Sequence, residues 1–123
     1  MPFDIEYHPD RHFVRVAAAG EIDMAAIRDY YERLEPVLAE TNADRVLVDG
    51  RDADIQLSAA DVFSIPRLAV KARSIGARKR ALVTKPGVNG PELFEMGSRN
   101  HEQQVRVFID HDQAIDWLLS ENH

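Results

Sequence analysis

The feature that most constrains this chain is a repeated change of hydrophobic period. Arg45-Val46-Leu47-Val48-Asp49, Arg80-Ala81-Leu82-Val83-Thr84 and Val105-Arg106-Val107-Phe108-Ile109 are short, β-branched strand runs, and the stretches between them repeat apolar residues every three or four positions. Strand signals that alternate with helix signals predict parallel strands, because each helix carries the chain back to begin the next strand in the same direction.

The beginning differs. Phe3-Asp4-Ile5-Glu6-Tyr7 and the run from His12 to Ala18 alternate across His8-Pro9-Asp10-Arg11, and Pro9 suits the second position of a type I turn, so a β-hairpin is expected. After Gly20, Asp23 caps a helix with Ile27, Tyr31, Leu34 and Leu38 on one side and Pro36 as a kink or last turn. Ser58 opens the next helix, which carries Val62, Ile65, Ala69 and Ala72, is interrupted by Pro66 and stops at Gly76. Gly87 and Asn89-Gly90-Pro91 make a turn with Pro91 opening a third helix. Asp110 and Gln113 form a capping-box start for a final helix with Ala114, Ile115, Leu118 and Leu119.

Alternation along the strands separates two faces. Val14, Val16, Val46, Val48, Ala81, Val83, Val105, Val107 and Ile109 form a continuous apolar face, against which Trp117 of the final helix is expected to pack. Phe13, Arg15, Arg45, Leu47, Asp49, Arg80, Leu82, Arg106 and Phe108 make a mixed one. A parallel sheet covered on both sides reads as unbroken apolar runs, so these strands predict an α/β fold with a five-stranded, mostly parallel sheet and helices mainly on one face.

With 123 residues and 45% hydrophobic content, the chain suits one core, read as a single domain over residues 1–123. It has no cysteine, no basic or apolar leader and no run of the ~20 apolar residues that span a bilayer, so a soluble cytoplasmic protein without a membrane span is expected. The net charge of -6 argues against nucleic acid as a partner. A window without acids, from Val62 to Pro91, holds seven Lys and Arg residues, yet Phe63 is its one aromatic, which leaves no stacking platform for single strands. That window reads as a solvated face and helix end.

Three groups stand out as candidate sites. Ser58 and Asp61 have capping-box spacing, with phosphorylation of Ser58 as the alternative. Asp49, Arg51, Asp52 and Asp54 crowd a strand end, where parallel α/β sheets place function, and read as turn chemistry and ion pairing; their spacing fits no calcium loop. The histidines show no zinc spacing, and no nucleophile elbow, phosphate loop or dinucleotide fingerprint is present, so neither a metal nor a cofactor is expected. The third group is the mixed face. Arg15, Arg45, Arg80 and Arg106 fall on neighbouring strands about 4.8 Å apart, where like charges repel. Either nearby acids and the arginine stems over Leu47, Leu82 and Phe108 compensate them, or the face, with Phe13, meets a partner, most simply a second copy of the chain in a homodimer.

Val48-Asp49-Gly50-Arg51, Leu57-Ser58-Ala59-Ala60-Asp61, the strand from Arg80 to Thr84 and the ending from Val105 to Leu118, with Val107, Phe108, Asp110, Ala114, Trp117 and Leu118, together resemble the bacterial SpoIIAA-like family over nearly the whole chain. That family is similar to the STAS domains, which include the anti-anti-sigma factors, and in fold to the SEC14-type lipid-transfer domain. The resemblance implies a regulatory or ligand-carrying role without enzyme activity. Anti-anti-sigma factors carry Asp-Ser-Ser/Thr-Gly at the start of the helix after the third strand, where this chain has Leu57-Ser58-Ala59-Ala60. The expected function is a non-enzymatic module that binds a protein partner or itself; the alternative is a carrier of an apolar or lipid-like ligand.

Overall fold

Strands β1 (Phe3–His8) and β2 (Phe13–Ile22) form the expected antiparallel hairpin. Its turn closes through His12, whose φ of 57° is left-handed. The structure is a computed structural model and describes residues 2–71, 75, 78–86, 95, 96, 98 and 103–120. Helix α1 (Met24–Thr41), strand β3 (Arg45–Ile55), helix α2 (Ala59–Lys71), strands β4 (Lys79–Val83) and β5 (Val105–Phe108), and helix α3 (His111–Leu119) follow. The expected stop at Gly76, the Gly87 and Asn89-Gly90-Pro91 turn, the helix opening at Pro91, and Ala72 lie outside the described residues.

The five strands lie in sequential order, β1-β2-β3-β4-β5, with every pair after the hairpin parallel. Local chemistry places the helix starts. The Asp23 carboxylate accepts from the Ala26 amide at 2.8 Å, and Asp110 accepts from Asp112 and Gln113 at 2.8 and 3.2 Å, each satisfying amides that a helix leaves unpaired. Asn42 ends α1 in the left-handed region, and its carbonyl bonds the His12 ring at 3.0 Å, tying the hairpin turn to the helix end. His12 is therefore partly buried.

Helices α1 and α2 share one face of the sheet, where Tyr31, Leu34, Leu38 and Ile65 pack on Val14, Val16 and Val46. In a sheet built in sequential order, right-handed crossovers all fall on the same side. Helix α3 takes the opposite face, where Ala114 and Leu118 pack on Phe13, Leu47, Ala81 and Val83. No described strand follows α3, so the crossover rule does not direct it. Trp117 accordingly packs on the mixed face, 5.8 Å from the Phe108 ring, and not on the apolar one.

Two further expectations are corrected by register. Val46 pairs with Arg80 and Leu47 with Ala81, so Arg80 and Leu82 face α1 and α2 while Ala81 and Val83 face α3. Alternation divides a strand into two sets without saying which is inward, and the cost of burying arginine favoured the wrong choice. Strand β3 also continues six residues past Asp49, pairing Ala53 with Gly20 and Ile55 with Ile22. The pairing steps from Ala17–Asp49 to Ala19–Asp52, which puts an extra residue on β3 at Gly50-Arg51, a β-bulge. A side chain at Gly50 would stand 3.2 Å from the Val83 carbonyl oxygen, so the bulge lies hard against β4.

Candidate functional site

The structure divides the residues of the candidate partner surface between the two faces of the sheet. Phe13 and Leu47 are buried beneath α3, and Arg80 is on the other face with 4% exposure. Arg15 pairs across the strands with Leu47, Arg45 with Phe13 and Lys79, and Arg106 with Ala81, so no row of four arginines forms. Arg106 lies 5.5 Å over the Phe108 ring. Lys79 is buried next to Arg45, and burial first, then the Arg45 charge, lower its pKa. Its ammonium donates to the Trp117 carbonyl at 2.6 Å and to the Ser120 carbonyl at 3.0 Å, at the negative end of the α3 dipole.

The bulge organises the acidic cluster. It lets Arg51 turn back on Asp49, to whose oxygens its side chain donates at 2.9 and 2.7 Å, while Arg15 donates at 2.8 Å from β2. The Arg51 side-chain bonds lead in holding the Asp49 carboxyl down to about 2, against a smaller opposing effect of burial, with the charges of Arg51 and Arg15 adding to the shift. Asp52 and Asp54 are exposed on the extended strand and do not join this ion pair. An Asp neutralised by two arginines is a poor base. Among the described residues, no group of three His, Asp or Glu side chains could hold a metal.

Ser58 and Asp61 meet reciprocally. The Asp61 amide donates to Ser58 Oγ at 3.1 Å, and the Ser58 amide donates to the Asp61 carboxylate at 3.1 Å. Both bonds lie at the exposed start of α2, where Ser58, Ala59, Ala60 and Phe63 face outward while Val62 and Ile65 are buried.

Between α1, α2 and the sheet lies a cavity of about 130 Å³ that the residue pattern alone does not reveal. Its walls are apolar: Phe3, Ile22, Tyr30, Val48, Ile65 and Leu82 contribute. The side towards the strand ends carries the partly exposed Ile55, Leu57 and Thr84. Arg80 lines the other end. Its Nη1 donates to the Tyr31 hydroxyl at 3.3 Å, its Nη2 donates to Gln103 Oε1, and its Nε has no hydrogen-bond partner among the described residues. Gln103 in turn donates to the Pro66 carbonyl at 3.0 Å, which anchors the guanidinium to α2. Burial, the largest influence, pushes the Tyr31 phenol up against the lowering effect of Arg80, and Tyr30 also rises through burial. The signal in the sequence was Arg80 directly preceding the apolar run Ala81-Leu82-Val83, but finding its neighbours required the register.

No protein-family profile and no curated protein matches the sequence. Solved structures do match in fold. An uncharacterised DUF3478-family protein with a SpoIIAA-like fold from Shewanella loihica superposes with a TM-score of 0.61 at 20% identity, covering 94% of this chain and 91% of that chain. An anti-sigma factor antagonist from Mycobacterium paratuberculosis gives a TM-score of 0.66 at 17% identity, covering 96% and 93%. The anti-sigma factor antagonist SpoIIAA in its unphosphorylated form gives 0.60 at 15%, covering 94% and 96%. The chain therefore has a SpoIIAA-like fold.

Proposed function

We propose that the chain is a non-enzymatic regulatory module of the cytoplasm that binds another protein through the start of α2. One observation carries this reading: on a SpoIIAA-like sheet, the first turns of α2 lie open, and Phe63 is 43% exposed on a helix whose other side is in the core. An aromatic side chain held on a rigid helix is the kind of anchor on which interfaces concentrate their binding energy. The fold shared with anti-sigma factor antagonists supports a protein partner. A second copy docking on the mixed face is disfavoured, because α3 already covers Phe13 and Leu47 there. Ser58 serves as the helix cap in this reading, its Oγ already accepting the Asp61 amide, and a phosphate there would sit beside the Asp61 carboxylate.

The test is capture from an extract of the source cell by immobilised wild type and Phe63→Asp. The wild type is expected to retain one protein near stoichiometry, and Phe63→Asp to lose it with an unchanged melting temperature. Equal retention by both rules out the α2 site.

A second reading, carriage of an apolar small ligand, is favoured by the cavity between α1, α2 and the sheet. A native mass spectrum of the purified protein with added non-covalent mass supports it, and that mass should disappear on denaturation.

A further inference from the structure

We propose that this cavity binds a small amphipathic anion, a carboxylate with an apolar body, whose head pairs with Arg80; the inference rests on the reading that the cavity carries a ligand. The starting point is an imbalance of charge. Arg80 is 4% exposed, and its two side-chain partners among the described residues, the Tyr31 hydroxyl and the Gln103 amide oxygen, are both neutral. No carboxylate among the described residues pairs with it. Its Nε is buried and has no hydrogen-bond partner among the described residues. A buried charge without a counter-ion is costly, and proteins either pair such a group or place it where a ligand supplies the missing charge.

The cavity supplies the route for such a ligand. Arg80, Leu82 and Thr84 alternate along one face of β4 and all three line the space, which therefore extends roughly 13 Å at the ~3.3 Å rise per residue of a parallel strand. One end is the guanidinium, and the other reaches the partly exposed Thr84 and Ile55. The walls between offer apolar side chains and little else, so they suit an aliphatic or aromatic body and give no partners to a sugar or a nucleotide. Size narrows the class. A cavity of ~150 Å³ takes a benzene ring, so about 130 Å³ holds about six carbons of the body, and the tail of a slightly longer chain reaches the partly exposed end at Thr84 and Ile55.

Arginine is suited to the head group. Its planar guanidinium presents Nε and an Nη in a fork that matches the two oxygens of a carboxylate. Here Gln103 and Tyr31 engage the two Nη atoms and hold the group in place, while Nε has no partner among the described residues. The Tyr31 hydroxyl accepts from Arg80 and retains its own proton to donate to a bound oxygen.

Octanoate and 1-octanol, which differ only in the head group, test the proposal on the full chain by titration calorimetry and methyl NMR. Octanoate should bind about 10- to 100-fold more tightly than octanol, as expected of a charge-assisted hydrogen bond made out of water. Methyl shifts should fall on Val48, Ile65, Leu82 and Thr84. In Arg80→Met, which removes the charge and keeps an apolar side chain of similar length, the acid's advantage should vanish while octanol still binds. If acid and alcohol bind the wild type equally, the carboxylate inference fails and the apolar-carrier reading stands. If neither binds, or if the shifts lie away from the cavity, both fail. The wild-type comparison decides the matter even if Arg80→Met does not fold.

Discussion

The Lys79 ammonium lies 4.5 Å from the centre of the Trp117 ring and donates to the Trp117 backbone carbonyl at 2.6 Å, so one β4 side chain fastens the end of α3 to the sheet. The bond satisfies a carbonyl that the helix leaves open and places a cation at the negative end of its dipole. Lys79→Met should cost about 1–3 kcal/mol in urea unfolding. Trp117→Ala, which removes a half-buried ring from against Phe108, should cost on the order of 3 kcal/mol. Unchanged midpoints would mean that α3 does not rest on this contact.

Leu47→Glu places a carboxylate beneath α3, where Leu47 has no exposure and where the neighbouring Arg15 is already engaged by Asp49. Such a burial costs several kcal/mol, enough to unfold a domain of this size. Circular dichroism should show loss of the folded signal. A folded, monomeric variant of wild-type stability would contradict the placement of α3 on that face.

Ser58→Ala should lower stability by roughly 1 kcal/mol, because it leaves the Asp61 amide without its cap, whereas Ser58→Asp, itself a good cap, should be nearly neutral. Thermal melts of the two variants check this. A loss with both, or with neither, would show that the hydroxyl does not act as the cap.

The Asp49 carboxyl, held at about 2 against an ordinary value of 3.8, stabilises the fold fully above the ordinary value and loses that contribution as pH falls towards 2. The site is partly open to solvent, so the effect is on the order of 1 kcal/mol. Wild type should therefore exceed Asp49→Asn in stability near pH 6, and the difference should shrink between pH 4 and pH 2. A difference that does not vary with pH would remove the ion pair with Arg15 and Arg51 as its cause.

What was legible in the sequence follows from how local each decision is. The helix starts at Asp23, Ser58 and Asp110 are set by one side chain reaching amides two or three residues away, so residue type and spacing suffice. The sequential sheet with parallel strands after a hairpin is legible because it follows from element order. Three features depend on distant parts of the chain. Asp49 to Ile55 has the composition of a turn, yet pairing with Ala19 to Ile22 extends it as a strand beyond the bulge. The inward side of β4 is decided by its register with β3, and the place of α3 by which sheet face remained open. Of the site residues, Asp49 with Arg51 and Ser58 with Asp61 were visible as neighbours in sequence. Arg80, Tyr31 and Gln103 come from three separate elements, and their meeting was not visible. Phe63 left a trace: it falls off the Val62 and Ile65 stripe of α2, which marks it as outward-facing.

The central claim, that the start of α2 is the surface by which this chain meets a protein partner, is tested most directly by hydrogen exchange on the free protein and on the complex captured by the wild type. Binding should slow exchange in the first three turns of α2, from Ser58 to Leu68, with no comparable change on the outer side of α3. Protection spread over α3, or absent from α2 in a stoichiometric complex, would contradict the claim.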